Sequence, residues 1–157
     1  MLTLRFTPYP PRRATLLRNR VRPFVAVDLS GSVDDLRGLI AALSQVAHHG
    51  GVVEADVLAD DRTRKLCIFR SDDAMAVLRT EAHLLVAGAA EVLVDFADRV
   101  GFCVQNEGNP HPIEGYHAHV EFFEADSEWG PAGEFTVFVN PRSTGHTACP
   151  PGCQPVG

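Results

Sequence analysis

The sequence predicts an α+β fold in which two successive strand–helix–strand–strand units form a mainly antiparallel sheet with helices on one face. Two observations support this prediction. Among the 157 residues, two stretches place apolar residues at helical spacing, and short apolar or alternating runs typical of strands flank each of them. The second series repeats the order of the first, which indicates a pseudo-repeat over residues 23–70 and 80–140. Helices in such an order pack against a sheet.

The first unit contains the clearest helix signal. Residues 24–29 form an apolar run typical of a buried strand, and Ser32 then stands at a helix start with Asp35 three residues later, as in a capping box. The helix is predicted to end at Gly50, because glycine readily adopts the left-handed conformation found there. Its apolar stripe comprises Leu36, Leu39, Ile40, Leu43 and Val46.

The remaining elements follow in the same order. Strands are predicted at residues 52–58, 65–70, 81–86, 116–123 and 135–139. The second helix is predicted over residues 90–100, ended by Gly101. The segment between the two units has two interpretations: a short helix capped by Ser71, or one long strand from Ala76 to Val86.

Charge and composition divide the chain into three parts. Residues 1–22 form an arm rich in Arg and Pro with a net charge of +6, residues 23–140 form the single α+β domain, and residues 141–157 form a tail rich in Pro and Gly. Because the whole chain has a net charge of −6, the part after the arm is strongly acidic. An acidic surface repels nucleic acid and attracts basic proteins. We therefore expect a basic protein partner and no nucleic acid.

The composition also indicates a cytoplasmic protein without a membrane segment. No stretch approaches the roughly 20 apolar residues that a spanning helix needs, and the first residues lack the apolar segment and cleavage site of a signal peptide. The values of 45% hydrophobic and 22% charged residues are those of an ordinary globular domain.

The strand around His117 has the most informative pattern in the chain. Its residues alternate strictly, so His117, His119 and Glu121 are predicted on one face and the apolar residues between them on the other. The same alternation places His83 of an earlier strand on this polar face, provided that the two strands are neighbours. The sheet face opposite the helices is therefore predicted to be acidic and to contain histidines.

Two functions fit this face. As a docking surface it would bind a basic protein without catalysis or cofactor, with Trp129 in an adjoining loop as an aromatic anchor. As a metal site it would hold a divalent ion, Fe or Zn, between His117 and His119. Glu121 is predicted to lie outside that site, because residues i to i+4 of a strand span about 13 Å. A third interpretation is a self-assembling protein, a homo-oligomer whose edge strands pair between subunits.

The tail contains a second set of metal-ligand types, His146, Cys149 and Cys153. A zinc site needs a fourth ligand and usually closer cysteine pairs, so an irregular tail is the favoured interpretation. The Pro-Pro-Gly turn leaves open whether the two tail cysteines are thiols, a disulfide or ligands. Cys67 and Cys103 fall in apolar runs predicted as strands, and we expect them to be small core residues.

The second half of the chain has an outline shared with a known group of proteins. It consists of a strand and a glycine-containing turn at residues 83–88, a Leu-rich helix at 90–100, a His-x-His strand at 117–119 and a final strand at 135–139. In this outline, residues 80–140 resemble the small bacterial immunity-protein domains that are paired with polymorphic toxins. The resemblance implies a protein that binds and neutralises a toxin domain through its exposed sheet face.

A shorter resemblance concerns the histidine strand alone. The string Gly115-Tyr116-His117-Ala118-His119-Val120 is similar to the opening strand of DOPA dioxygenase-like proteins. In that family such histidines are implicated in iron binding. This resemblance implies a mononuclear Fe(II) oxygenase-like enzyme with His117 and His119 as ligands. Neither a Walker loop nor a Gly-x-Ser-x-Gly nucleophile motif is present to indicate a different reaction.

Overall fold

The computed structural model describes residues 1–8, 24–106, 117–122 and 132–140. The elements are β1 (Leu2–Pro8), β2 (Phe24–Gly31), α1 (Val33–His49), β3 (Val52–Ala59), β4 (Arg62–Arg70), β5 (Ala76–Arg79), β6 (His83–Gly88), α2 (Ala90–Gln105), β7 (His117–Phe122) and β8 (Ala132–Val139). The predicted α+β class is confirmed. Within these described ranges, no helix is both long and apolar enough to cross a membrane.

The eight strands form one mixed sheet with the order β5-β6-β4-β3-β1-β2-β8-β7. The expectation of a mainly antiparallel sheet is therefore met only in part. The antiparallel pairs are β1–β2, β3–β4, β5–β6 and β7–β8. The strands β4 and β5 also follow each other without a helix, but β6 lies between them in the sheet. Each of these pairs then contacts the next through a parallel pairing, namely β1–β3, β2–β8 and β4–β6.

The sheet has an internal repetition that extends the pseudo-repeat predicted from the sequence. Each half contributes two strands, one helix and two strands. The strands β1 to β4 of the first half correspond in order to β5 to β8 of the second half. The antiparallel pairs β1–β2 and β3–β4 therefore correspond to β5–β6 and β7–β8, and the parallel pair β4–β6 corresponds to β8–β2. The parallel β1–β3 pair has no described counterpart, because β5 and β7 are the two edge strands.

One hydrophobic core joins both helices to alternate residues of the strands. The buried residues of α1 are Leu36, Leu39, Leu43, Val46 and Ala47, and those of α2 are Leu93, Phe96, Ala97, Val100 and Cys103. Near the centre, the rings of Phe96 and Phe135 stack with centroids 5.3 Å apart. Because α2 contacts β7 and β8, this core fixes which residues of the last two strands point away from the helices.

Helix α1 begins and ends as its sequence predicts. The Asp35 backbone N–H donates to the Ser32 hydroxyl at 3.1 Å, and the Ser32 backbone N–H donates to the Asp35 carboxylate at 3.0 Å, which forms a capping box. The Met1 amino group lies 2.8 Å from the same carboxylate. Hydrogen bonds from Met1 and Ser32 lower the pKa of Asp35 to about 2. Gly50 ends the helix with φ of +71°, in the left-handed region.

Three elements differ from the sequence prediction. Residues 2–8, predicted to belong to the Arg- and Pro-rich arm, form the central strand β1 between β2 and β3. Residues 71–80 contain no short helix, and residues 76–86 form not one long strand but two antiparallel strands joined by a turn at Thr80. The second helix continues past Gly101 to Gln105, because Cys103 extends its buried stripe.

The two described cysteines are free thiols in the interior. Cys67 lies in β4, whereas Cys103 lies in α2 and not in a strand, and its Sγ is 3.3 Å from the carbonyl oxygen of Val137. Burial raises the pKa of both thiols, and the carboxylate of Glu54 beside Cys67 adds to this effect there. Cys103 is therefore part of the hydrophobic core, as predicted, whereas Cys67 is buried on the sheet face that carries Glu54.

Candidate docking face and histidine pair

The β7–β8 pair displays the polar face predicted from the sequence. Ala118, Val120 and Phe122 are buried towards the core, whereas His119 and Glu121 between them are exposed. The register places His117 opposite Phe138, His119 opposite Thr136 and Glu121 opposite Glu134. Because directly opposed residues of an antiparallel pair lie on the same face, Glu134 joins the polar group. We name the sheet surface formed by His117, His119, Glu121 and Glu134 the docking face.

The two histidines of the docking face lie next to each other. The ring centroids of His117 and His119 are 4.8 Å apart in an edge-to-face arrangement. The Nδ1 atom of His119 is 3.4 Å from the carboxylate of Glu134, and the side chain of His119 is 49% exposed. A histidine so placed can donate to a carboxylate or bind a ligand from solvent.

Helix α2 fixes the backbone of this part of β7. The Arg99 guanidinium donates to the backbone carbonyl of His119 at 3.0 Å and is itself held by Asp95 at 2.7 Å. The two contacts connect the exposed surface of the helix to the edge strand. The docking face therefore has a support that does not depend on its own side chains.

The most unusual feature of the docking face is a pair of like charges. Glu121 and Glu134 are directly opposite each other, and the side chain of Glu134 is 28% exposed. Opposed like charges on a sheet are unfavourable. The Nδ1 atom of His119 is the described neighbour of this pair, 3.4 Å from the Glu134 carboxylate.

The wider sheet surface on the same side has an excess of acidic residues. By strand register, the described carboxylates on this side are Asp28, Glu54, Asp56, Glu121 and Glu134, and the cations are Arg5 and Lys65. Each cation has an acidic neighbour: Arg5 is opposite Asp28, and Lys65 is 2.8 Å from Asp56. The pKa of Lys65 is raised by Asp56. The unmatched charge therefore lies at Glu54 and on the docking face.

His83 does not join the other two histidines. It lies opposite Lys65 at the start of β6, and five strands separate β6 from β7 in the order of the sheet. The alternation of residues predicted the correct face for His83, but the condition that the strands be neighbours is not met. His83 is therefore remote from the docking face along the sheet.

The described residues provide only a partial set of metal ligands. His117 and His119 are adjacent, and the Glu134 carboxylate lies 3.4 Å from Nδ1 of His119. No group of three His, Cys, Asp or Glu side chains in the described ranges has an arrangement that would hold a metal ion. Trp129, His146, Cys149 and Cys153 lie outside the described residues.

Glu134 belongs to this face but was not predicted from the sequence. Its strand was predicted to start at Phe135, so the alternating pattern was not extended one residue towards the N-terminus. In the structure β8 begins at Ala132, and Glu134 has the same orientation as Thr136 and Phe138. Continuing the alternation from those two residues would have placed Glu134 on the polar face.

No protein-family model, curated protein or solved structure matches this chain. The function is therefore inferred from the geometry and charge of the molecule.

Proposed function

We propose that this chain is a non-catalytic binding protein of the immunity type, which docks a basic protein partner on the face formed by His117, His119, Glu121 and Glu134. The main support is the direct opposition of Glu121 and Glu134 on an accessible sheet surface. A lysine or arginine of a partner placed between the two carboxylates would convert their repulsion into two attractions. The free protein thus has two directly opposed like charges that binding would neutralise.

The charge of the surrounding surface supports the same kind of partner. The cations Arg5 and Lys65 already have acidic neighbours, so the remaining carboxylates are available to a basic protein. Complementary charge accelerates association and favours the matching partner over others. The outline that residues 80–140 share with immunity domains agrees with an inhibitor that binds through this face.

The rigidity of β7 also favours docking. The contact from Arg99 to His119 holds the middle of the strand, and the core residues between the polar positions fix its register. A preordered surface loses less conformational entropy when a partner binds. The side chains of the docking face would therefore be presented to a partner in nearly their bound arrangement.

Carbodiimide cross-linking tests this proposal. The reagent joins a carboxylate to a nearby lysine amine, and peptide mapping then identifies the carboxylate. With a basic protein captured from the source cell, we expect cross-links from Glu121 or Glu134 in the wild type and in Asp98→Asn. Asp98 is an exposed carboxylate on α2 and serves as the matched control. Cross-links confined to helix carboxylates would contradict the proposal.

A metal-binding enzyme is the second candidate function, and the adjacent rings of His117 and His119 favour it. Two imidazoles with Glu134 beside them are the ligand types of divalent iron and zinc sites. The test is the metal content of untagged protein purified without chelator, followed by reconstitution with Fe(II) or Zn(II). Stoichiometric metal that is lost in His117→Ala, with the fold retained, would support this function. Absence of stoichiometric binding after reconstitution would contradict it.

A further inference from the structure

A second polar site lies where the β3–β4 and β5–β6 turns meet. A hollow of about 560 Å³ is open to solvent there. Its lining residues are Asp60, Arg62, Arg64, Arg79, Thr80 and Glu81. Three arginines thus surround one hollow in a chain whose net charge is −6. Two carboxylates, Asp60 and Glu81, line the hollow as well, so the arginines give its lining an excess of one positive charge.

One wall of the hollow is held in place by several contacts. Arg79 forms an ion pair with Asp60 at 2.6 Å, and its guanidinium lies 4.5 Å from the centroid of the Phe6 ring. Asp60 also accepts a hydrogen bond from the Phe6 backbone N–H at 3.1 Å. Asp60 and Asp61 have φ of +48° and +62°, a left-handed conformation that is uncommon for residues with a side chain. The contacts of Asp60 stabilise this turn.

The other two arginines have unused hydrogen-bonding capacity. One terminal nitrogen of Arg64 donates to the carbonyl of Thr80, but its Nε atom is buried and has no partner in the described part of the chain. Arg62 is exposed and forms no ion pair with a described carboxylate. Buried donors are nearly always paired, so the Nε–H of Arg64 is an unusual group beside this hollow.

We propose that this hollow binds a small ligand through an oxyanion, either a phosphate or a carboxylate, held by Arg62 and Arg64. The planar guanidinium fork matches both groups and strengthens each hydrogen bond by its charge. Arg79 is already neutralised by Asp60, and Glu81 stands at the rim. The carboxylates of Asp60 and Glu81 favour a ligand with one anionic group, because they would repel the additional charges of a polyanion.

NMR spectroscopy of the arginine Nε–Hε groups tests this site directly. Inorganic phosphate and, separately, acetate are titrated into the protein at constant ionic strength set by chloride. We expect a saturable shift of the Arg64 Nε–Hε signal with a Kd of about 1 mM, as suits a few charge-assisted hydrogen bonds. Saturation with phosphate alone would assign a phosphate group, and saturation with acetate alone would assign a carboxylate.

Two variants separate the site from general charge effects. Arg62→Gln removes an exposed side chain, so the fold is retained, and it is expected to weaken binding at least about tenfold. Arg37→Gln, on α1, changes the net charge by the same amount at a side chain that is 66% exposed. It should leave the Kd for the anion unchanged. The proposal is overturned if neither anion gives a saturable shift at Arg64, or if Arg62→Gln and Arg37→Gln behave alike.

Discussion

Glu121 on β7 and Glu134 on β8 lie directly opposite each other, so two carboxylates share one position on the surface of the sheet. The opposite face of the same strands fixes this register, because Val120 is paired with Phe135 in the core. A slip of one residue would turn the apolar side chains to solvent and the carboxylates inwards. The core therefore maintains a pair of like charges that the surface alone would not favour.

Neutralising one member of this pair should stabilise the free protein. We expect Glu121→Gln to raise the free energy of unfolding by about 0.2 to 1 kcal/mol, the range for opposed charges on a sheet. Urea denaturation at neutral pH and low salt measures the change. Glu54→Gln is the matched control, since Glu54 lies opposite Cys67 and has no opposed carboxylate. A loss of stability in Glu121→Gln alone would show that the pair is not repulsive.

The capping box of α1 should contribute to stability in a pH-dependent way. Asp35→Ala removes the Ser32 and Met1 contacts and is expected to cost about 1 kcal/mol at neutral pH. The pKa of Asp35 is lowered from its ordinary value of 3.8 to about 2. Its contribution to the free energy of unfolding is therefore fully present at a pH above 3.8. It is lost as the pH falls through 2.

Urea denaturation of wild type and Asp35→Ala between pH 2 and pH 6 checks this dependence. The difference between their free energies of unfolding should decrease as the pH falls towards the folded-state pKa of about 2. Asp34→Ala is the control in the same helical turn. The Asp34 side chain is 93% exposed, and its ion pair with Arg37 is long, at 3.6 Å. A constant difference across the pH range would contradict the assignment.

Two glycines should respond oppositely to alanine. At Gly133 a Cβ would lie 2.6 Å from Cζ of Phe122 and would also collide with the Val25 carbonyl oxygen, so Gly133→Ala should cost more than about 2 kcal/mol. At Gly38, in the middle of α1, a Cβ would meet nothing within 4 Å. Gly38→Ala should therefore stabilise the helix by about 0.5 to 1 kcal/mol. Thermal unfolding of both variants measures the contrast, and destabilisation by both would be inconsistent with this packing.

Two phenylalanines of α2 offer a similar comparison. Phe96 is 2% exposed and stacks on Phe135, so Phe96→Ala should cost about 3 to 5 kcal/mol. Phe102 is 47% exposed, and Phe102→Ala should cost much less. Equal losses measured by urea denaturation would show that the core does not centre on Phe96.

Local patterns predicted the elements that have strong local signals. Helix α1 has its cap, apolar stripe and terminal glycine within one continuous stretch, and all three agree with the structure. The alternation around His119 likewise predicted which side chains of β7 point away from the core. Such signals depend on the helical repeat of 3.6 residues and the strand repeat of 2, which need no knowledge of neighbouring strands.

The features that were missed depend on contacts between distant parts of the chain. Strand β1 has a short alternation at Leu2 and Leu4 beside an Arg- and Pro-rich segment, and its central position comes from pairing with β2 and β3. His83 was placed on the correct face, but its distance from His119 is set by the strand order. The arginine hollow arises in the same way, because two separate turns meet there.

The affinity of a captured basic partner is the most direct test of the docking face. We would measure its Kd for the wild type, for the Glu121→Gln/Glu134→Gln double variant and for Asp98→Asn, at about 50 mM and about 300 mM salt. The predicted result is a Kd at least about tenfold weaker in the double variant, unchanged in Asp98→Asn, and salt-dependent in the wild type. Equal affinities of the wild type and the double variant at low salt would contradict the account.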